Sequence, residues 1–274
     1  ADRLTKLIEK MCDLKGKVLL TKTTVYLYDA NGNQVSQTTS YTAPSSIQAR
    51  QKMKGSSYGD RLSGEIDPLI TRTGNTFDSF NRLAKTEQIQ GGVRTLAEYT
   101  YNGDGLRTQR TVKKSDSGYT PEETIFLYDR QHVILETGTD GSLKTRYIRG
   151  INYLARTGST DGDESTGGGE GASGNSAGGY SVLLYNGHGD VVQTADNAGN
   201  IRNSYDYDIW GNVTFTLEQY SFSIRYAGEF FDKETGLYYL RARYYNPYIG
   251  RFISEDSYWG EDNNPLSLNL YTYC

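Results

Sequence analysis

An aromatic residue followed at once by Asp or Asn recurs along the chain, at Tyr28-Asp29, Phe77-Asp78, Tyr101-Asn102, Tyr128-Asp129, Tyr185-Asn186 and Tyr207-Asp208. Four residues after each aromatic stands Gly32, Asn81, Gly105, His132, Gly189 or Gly211. Glycine, then asparagine, and to a lesser degree histidine tolerate the positive φ that a tight hairpin turn demands. Beyond each turn the chain returns to β-prone residues: Val35, Leu83, Leu106, Val133, Val191 and Val213. Each copy reads as a strand ending in an aromatic, an Asx-type turn and a returning strand. Phe77, Tyr101 and Tyr128, like Tyr185 and Tyr207, are spaced by roughly 20 to 30 residues, the scale of one supersecondary unit per repeat.

Composition agrees with strands. Only 36% of the residues are hydrophobic, but 24 are tyrosines against 8 phenylalanines and 2 tryptophans. Buried surface must then be largely aromatic rings whose hydroxyls find partners or stay wet. Tyrosine and threonine favour strands, while 31 glycines and many Asn and Asp residues supply turns. The fold class expected is all-β: repeated antiparallel β-hairpins with one or two short helices.

Three stretches depart from the repeat. Leu4, Leu7, Ile8 and Met11 share one helical face, and Gly16 is placed to end a short amphipathic helix over the first residues. Between Gln34 and Thr76, Ser45 or Ser46 is a candidate cap for a helix through Ile47 to Lys54, stopped by Gly55. From Thr157 to Gly179 the chain is acidic and rich in glycine and serine, with no large apolar side chain, so burial cannot offset the entropy of ordering and a flexible loop is expected. Strands expected at Tyr147 to Ala155 and Tyr180 to Tyr185 flank it, which places the loop within one hairpin. The organisation expected is an N-terminal helix or edge segment over 1–20, a hairpin sheet over 21–225 with a helical insert at about 45–55 and the loop at 157–179, and a closing segment over 226–274.

The closing segment is the densest part. Leu237 to Tyr245 alternates as one strand would, with Tyr238, Leu240, Ala242 and Tyr244 on one face and Leu237, Tyr239, Arg241, Arg243 and Tyr245 on the other. The two arginines flank tyrosines, a pattern suited to cation–π stacking or to a cross-strand ion pair. Gly236 precedes this stretch; Pro247 then breaks the ladder and Gly250 turns the chain before Arg251-Phe252 and the pair Glu255-Asp256.

With these repeats and the segment YAGEFFDKETGLYYLRARYYNPYIGRFISEDSYWGEDNNPLSLNLYTY from Tyr226 to Tyr273, the chain resembles the RHS or YD-repeat family, ending in its RHS-associated core. The resemblance implies a ribbon of β-hairpins coiled into part of a hollow shell, and a core segment that plugs or caps it. It implies a C-terminal toxin or effector domain of the same polypeptide as the enclosed partner, and secretion or display at a bacterial cell surface. It also implies aspartate-dependent self-cleavage in some members, for which Asp256 matches the first aspartate. Two carboxylates near a scissile bond share a proton, one activating water and one protonating the carbonyl. Here Asp256 is followed by Ser257 where the family usually has Asp-Pro, and Asn246-Pro247 stands where another Asp-Pro is usual. The second aspartate is expected downstream of Cys274, so the chain as read is expected to be proteolytically inert and not an enzyme.

Other chemistry finds little material. Two histidines, His132 and His188, both in repeat turns, do not make a metal site or a nucleophilic triad, and no cofactor is expected. Glu255 and Asp256 are adjacent and so point oppositely on a strand, unlike a glycosidase pair. A net charge of −4 with no basic stripe argues against nucleic acid as a partner, and the apolar runs are far short of a membrane span. Cys12 and Cys274 cannot by themselves form a disulfide framework. Exposed tyrosines offer an alternative function as an adhesive or glycan-binding surface, and open sheet edges favour self-association.

Overall fold

The computed structural model describes residues 3–42, 71–158, 180–261 and 263–273. The helix expected at 45–55, and all but the first two residues of the loop expected at 157–179, lie outside them. The described chain is antiparallel β throughout, apart from short 3-10 turns at Tyr226–Gly228 and Pro265–Leu268. Fifteen strands follow one another in one sheet in chain order and four more form a second sheet. By internal contacts the chain divides into two units, one of 1–98, 112–121 and 253–271, the other of 99–111, 122–252 and 272–274.

In the first unit, β1 (Lys6–Cys12), β2 (Val18–Tyr28), β3 (Gln34–Thr42), β4 (Thr71–Phe77), β5 (Leu83–Gln90) and β6 (Val93–Tyr101), whose last three residues belong to the second unit, pair in sequence. The buried row across them is largely polar: Thr24 meets Thr39 at 3.0 Å, Asn75 Nδ2 donates to the Gln34 carbonyl at 2.9 Å, and Thr86 donates to Asn75 Oδ1 at 3.1 Å. Hydrogen bonding thus lets side chains other than hydrocarbons fill this interior.

β1 corrects the expected N-terminal helix. Lys6 to Met11 run antiparallel to Val25 to Leu20, with Ile8 and Met11 exposed. A helix of about ten residues is marginal alone, whereas the open edge of β2 offers every alternate backbone group a partner.

In the second unit, β8 (Glu122–Asp129) to β15 form four successive hairpins' worth of strands: β9 (His132–Thr137), β10 (Leu143–Arg149), β11 (Tyr153–Gly158), β12 (Ser181–Tyr185), β13 (Val191–Ala195), β14 (Ile201–Tyr207) and β15 (Val213–Glu218). β7 (Arg107–Lys114), of which residues 107–111 belong to this unit, precedes them. The stretch read as one strand from Tyr147 to Ala155 is two, β10 and β11, turned at Gly150 to Asn152, where the Gly150 N–H donates to the Asn152 carbonyl. β11 pairs with β12, Ala155 opposite Val182, so the strands on either side of 159–179 are partners.

The second sheet is β16 (Phe230–Asp232), β17 (Leu237–Leu240), β18 (Arg243–Asn246) and β19 (Arg251–Phe252). Here the single strand read over Leu237 to Tyr245 is corrected to a hairpin. Arg241 takes φ +57° and Ala242 completes a two-residue turn, so Tyr238 faces Tyr245 and Tyr239 faces Tyr244. Alternation persists through a two-residue turn, which is why the pattern alone reads as one continuous strand. Arg241 and Arg243 consequently do not share a face. Tyr226, Tyr238, Tyr245 and Phe252 form a buried cluster, with Tyr207, Phe231 and Tyr273 against it.

Candidate functional site

The repeat turns are the local frame. In the Asp208 turn, the Asp208 N–H donates to the Asn212 carbonyl and Gly211 N–H to the Asp208 carbonyl. Asp208 Oδ1 accepts from the N–H groups of Trp210 and Asn212, both at 2.9 Å. The same Asx pattern holds at Asp78, Asn102 and Asn186, and Asp29 accepts from Asn33 N–H. It also holds at Asp13 and Asp196, which follow Cys12 and Ala195. The turn therefore needs the Asx and the residue three places on, and not the aromatic. Tyr128-Asp129 is the exception: Asp129 pairs directly with His132 across a two-residue turn in which Arg130 carries the positive φ of 56°. His132 is a strand residue, not a turn residue.

The aromatic has its own task. At the end of its strand each of four repeat tyrosines reaches the start of the preceding strand or the residues just before it: Tyr28 OH donates to the Leu4 carbonyl, Tyr128 to Arg107, Tyr185 to Tyr153 and Tyr207 to Val191, at 2.7 to 3.1 Å. Antiparallel pairing brings a strand's last residue beside its neighbour's first, which makes the reach possible. Burial raises the phenol pKa at Tyr128, Tyr185 and Tyr207, so these hydroxyls stay donors. Phe77 keeps the ring without the bond. Tyr101 instead donates to the Tyr244 hydroxyl at 3.4 Å.

The closing segment grips two of these turns. In the second unit the hydroxyls of Tyr226, Tyr245 and Tyr238 donate to three successive carbonyls, Ile209, Trp210 and Gly211, at 3.0, 2.8 and 3.1 Å. Asn212 Nδ2 donates to the Pro247 carbonyl at 2.9 Å. Gly211 has φ +87°, and a Cβ there would lie 2.6 Å from the Tyr226 ring. In the first unit the single Tyr271 O–H lies between two acceptors, the Gly32 carbonyl at 2.7 Å and Glu255 Oε1 at 2.9 Å, while Arg3 pairs with the same carboxylate at 3.0 Å. The Glu255-Asp256 pair is divided in task. Glu255 seats against the first turn, and Asp256 Oδ1 accepts the Tyr258 N–H at 3.0 Å in an Asx turn.

The most heavily buried charges lie where the β16–β18 hairpins meet β7. Arg107, 1% exposed, places its guanidinium 2.5 Å from Asp232 and 3.1 Å from the Tyr244 hydroxyl, with its carbon 4.4 Å from the Tyr239 ring centre and 4.7 Å from that of Phe126. Its backbone is held too, the N–H by Tyr239 OH at 2.8 Å and the carbonyl by Tyr128 OH. Arg110 sits 3.5 Å from Asp232 and 3.4 Å from Glu234. Burial disfavours the charge on Arg107, but Asp232 and Tyr244 more than restore it, and its pKa lies well above the usual arginine value. Burial, reinforced by Asp232 and opposed by Arg110, raises Glu234 above the usual carboxylate range. Sequence reading misses this node because Arg107 and Asp232 are 125 positions apart and neither carries a motif. Of the arginines it did single out, Arg241 pairs with Glu229 and donates to the Gln131 carbonyl at 3.3 Å, and Arg243 stacks 3.6 Å over Phe252. Gly236 and Gly250 turn the chain at φ +72° and +61°, and Arg251 pairs in register with Asn246.

Among the described residues no cluster of His, Cys, Asp and Glu is arranged to hold a metal ion, and no helix is long and apolar enough to cross a membrane.

A hairpin sheet stapled by repeat tyrosines, whose turns are gripped by a tyrosine-rich closing segment, is the architecture of a YD shell. Residues 175–274 match the family model of the teneurin YD-shell. The tRNA3(Ser)-specific nuclease WapA of Bacillus spizizenii is 32% identical over 261 residues, 90% of this chain and 10% of that protein. The toxin protein Tse5 of Pseudomonas aeruginosa is 38% identical over 90 residues, 31% of this chain and 6% of that one. Among solved structures, the TcdB2-TccC3-TEV crystal structure superposes with a TM-score of 0.55 at 18% identity, covering 97% of this chain and 14% of the other, a likeness of fold. The chain belongs to the RHS/YD-repeat family and is a segment of its shell. It spans about a tenth of the length of the WapA relative it matches.

Proposed function

We propose that this segment forms part of a wall that encloses and presents a C-terminal toxin or effector domain of the same polypeptide, in a protein secreted from or displayed on a bacterial cell. The observation that carries this reading is the closing segment itself. Its tyrosine hydroxyls are spent on backbone carbonyls of the repeat turns Ile209 to Gly211 and Gly32, and its Asp232 carboxylate on the buried Arg107. Such a segment is built to stay in place and not to turn over substrate. In a longer chain carrying the downstream domain, that domain should resist added protease while the wall is intact and become sensitive when the wall is unfolded. Rapid digestion of the cargo beside an intact wall would sink the reading.

Asp256 is the candidate aspartate for self-release of that cargo in the longer protein. Mass spectrometry should then show a C-terminal product that disappears in Asp256→Asn; an unchanged product would remove Asp256 from the cleavage. The outermost strands of the fifteen-stranded sheet, β1 and β15, are also proposed to pair between copies, since four of the six β15 residues are exposed. A monomeric mass by light scattering at high concentration would refute it.

A further inference from the structure

On the first unit's sheet, facing away from the Thr24, Thr39, Asn75 and Thr86 row, β3, β4 and β5 form a hollow of about 450 Å³ around Gly74. Register sets its rows: Ser36 and Glu87 flank Gly74, while Thr38 and Ile89 flank Arg72. Gly74 is the feature that needs explaining. A glycine inside a strand costs about 0.5–1 kcal/mol relative to alanine. Its φ is not in the left-handed region, and a Cβ built on it would meet nothing within 4 Å. Among the described residues, neither backbone conformation nor packing requires a glycine here. The remaining reason for glycine in a strand is close approach of something to the bare backbone.

The walls say what that is. Arg72 and Lys85 make no ion pair among the described residues, whereas Glu87 is held by Arg94 at 2.8 Å. Both cations flank the notch, Arg72 offering a fork suited to a carboxylate and Lys85 a point charge. Hydroxyls of Ser36, Thr38 and Thr76 supply further donors and acceptors, and Ile89 gives one apolar wall. The size lies within the usual range for small-ligand sites, about 300–1,000 Å³.

We propose that this hollow is a binding site for an acidic saccharide, one sugar ring lying over Gly74 with its carboxylate on Arg72 and Lys85, its hydroxyls on the Ser and Thr side chains and a C–H face on Ile89. The site stands apart from the closing segment and does not depend on the enclosure of a cargo.

The test is titration of the full chain with glucuronate, glucose and inorganic phosphate, followed by NMR or calorimetry. Glucuronate should saturate, and glucose should bind at least about tenfold more weakly because it lacks the charge. Gly74→Val should abolish binding while leaving the melting temperature unchanged or higher, since the new side chain enters open space and favours a strand. Arg72→Gln should weaken glucuronate by about tenfold or more and erase its advantage over glucose. Failure of glucuronate to saturate, or unaltered affinity in a folded Gly74→Val chain, overturns the proposal. Phosphate binding as tightly as glucuronate also overturns it, leaving an anion site with no sugar recognition.

Discussion

The Asp208 and Asp196 turns share one local structure and differ in what covers them. Both use an aspartate Oδ1 to accept two backbone N–H groups, and both place a left-handed glycine three residues on, Gly211 and Gly199. At Gly199 a Cβ would meet nothing within 4 Å, whereas at Gly211 it would strike Tyr226. Around Gly211 three tyrosine hydroxyls occupy successive carbonyls. The geometry of a turn is thus a local property of an Asx and a glycine. Its use as a seat for the closing segment is not, because it depends on residues brought from 17 to 35 positions away.

The contrast is broken most forcefully at the anchor that holds the closing hairpin. Asp232→Ala strands the buried Arg107 charge and should destabilise the fold by about 3–5 kcal/mol in urea denaturation. A loss below about 1 kcal/mol would mean water reaches the arginine. Next comes the glycine pair. Ala at either position meets the left-handed backbone penalty of about 1–2 kcal/mol, but Gly211→Ala must also displace the Tyr226 ring, adding about 1–3 kcal/mol. Equal losses in the two variants would show that the Tyr226 contact is not held in solution.

Tyr238→Phe removes one donor from the Gly211 carbonyl and should cost about 1 kcal/mol. The corresponding loss from any tyrosine beside the Asp196 turn should be nil, as among the described residues no tyrosine hydroxyl donates to its carbonyls. The smallest effect is electrostatic. Asp196 is held down to about 2 by hydrogen bonds from Asn200 and the Arg202 guanidinium. Because the folded value lies below the unfolded one, its stabilisation is complete above the ordinary aspartate range and is lost as pH falls through about 2. The side-chain carboxyl resonance should titrate with a midpoint near that value, and Arg202→Gln should move the midpoint upward.

The repeat, the all-β class, the position of the turns and the kinship of the closing segment are legible in the residues, because Asx-turn chemistry and strand alternation act over fewer than six positions. The same locality explains the misreadings. A helical spacing of Leu4, Leu7, Ile8 and Met11 yields to strand pairing once the β2 edge is present, and a two-residue turn at Arg241-Ala242 leaves alternation unbroken. His132 satisfies the spacing of the repeat and lacks its turn, since Arg130 takes the left-handed position first.

What only the tertiary structure decides is which polar groups end up paired. Tyrosine content says that hydroxyls must find partners, but not that Tyr207 finds Val191, that Tyr238 finds Gly211, or that Arg107 finds Asp232. Sequence sets the turns because a turn is closed by its own residues. Structure sets the grip on them because burying a hydroxyl or a guanidinium is tolerable only where a distant acceptor already waits, and that placement is a property of the folded sheet.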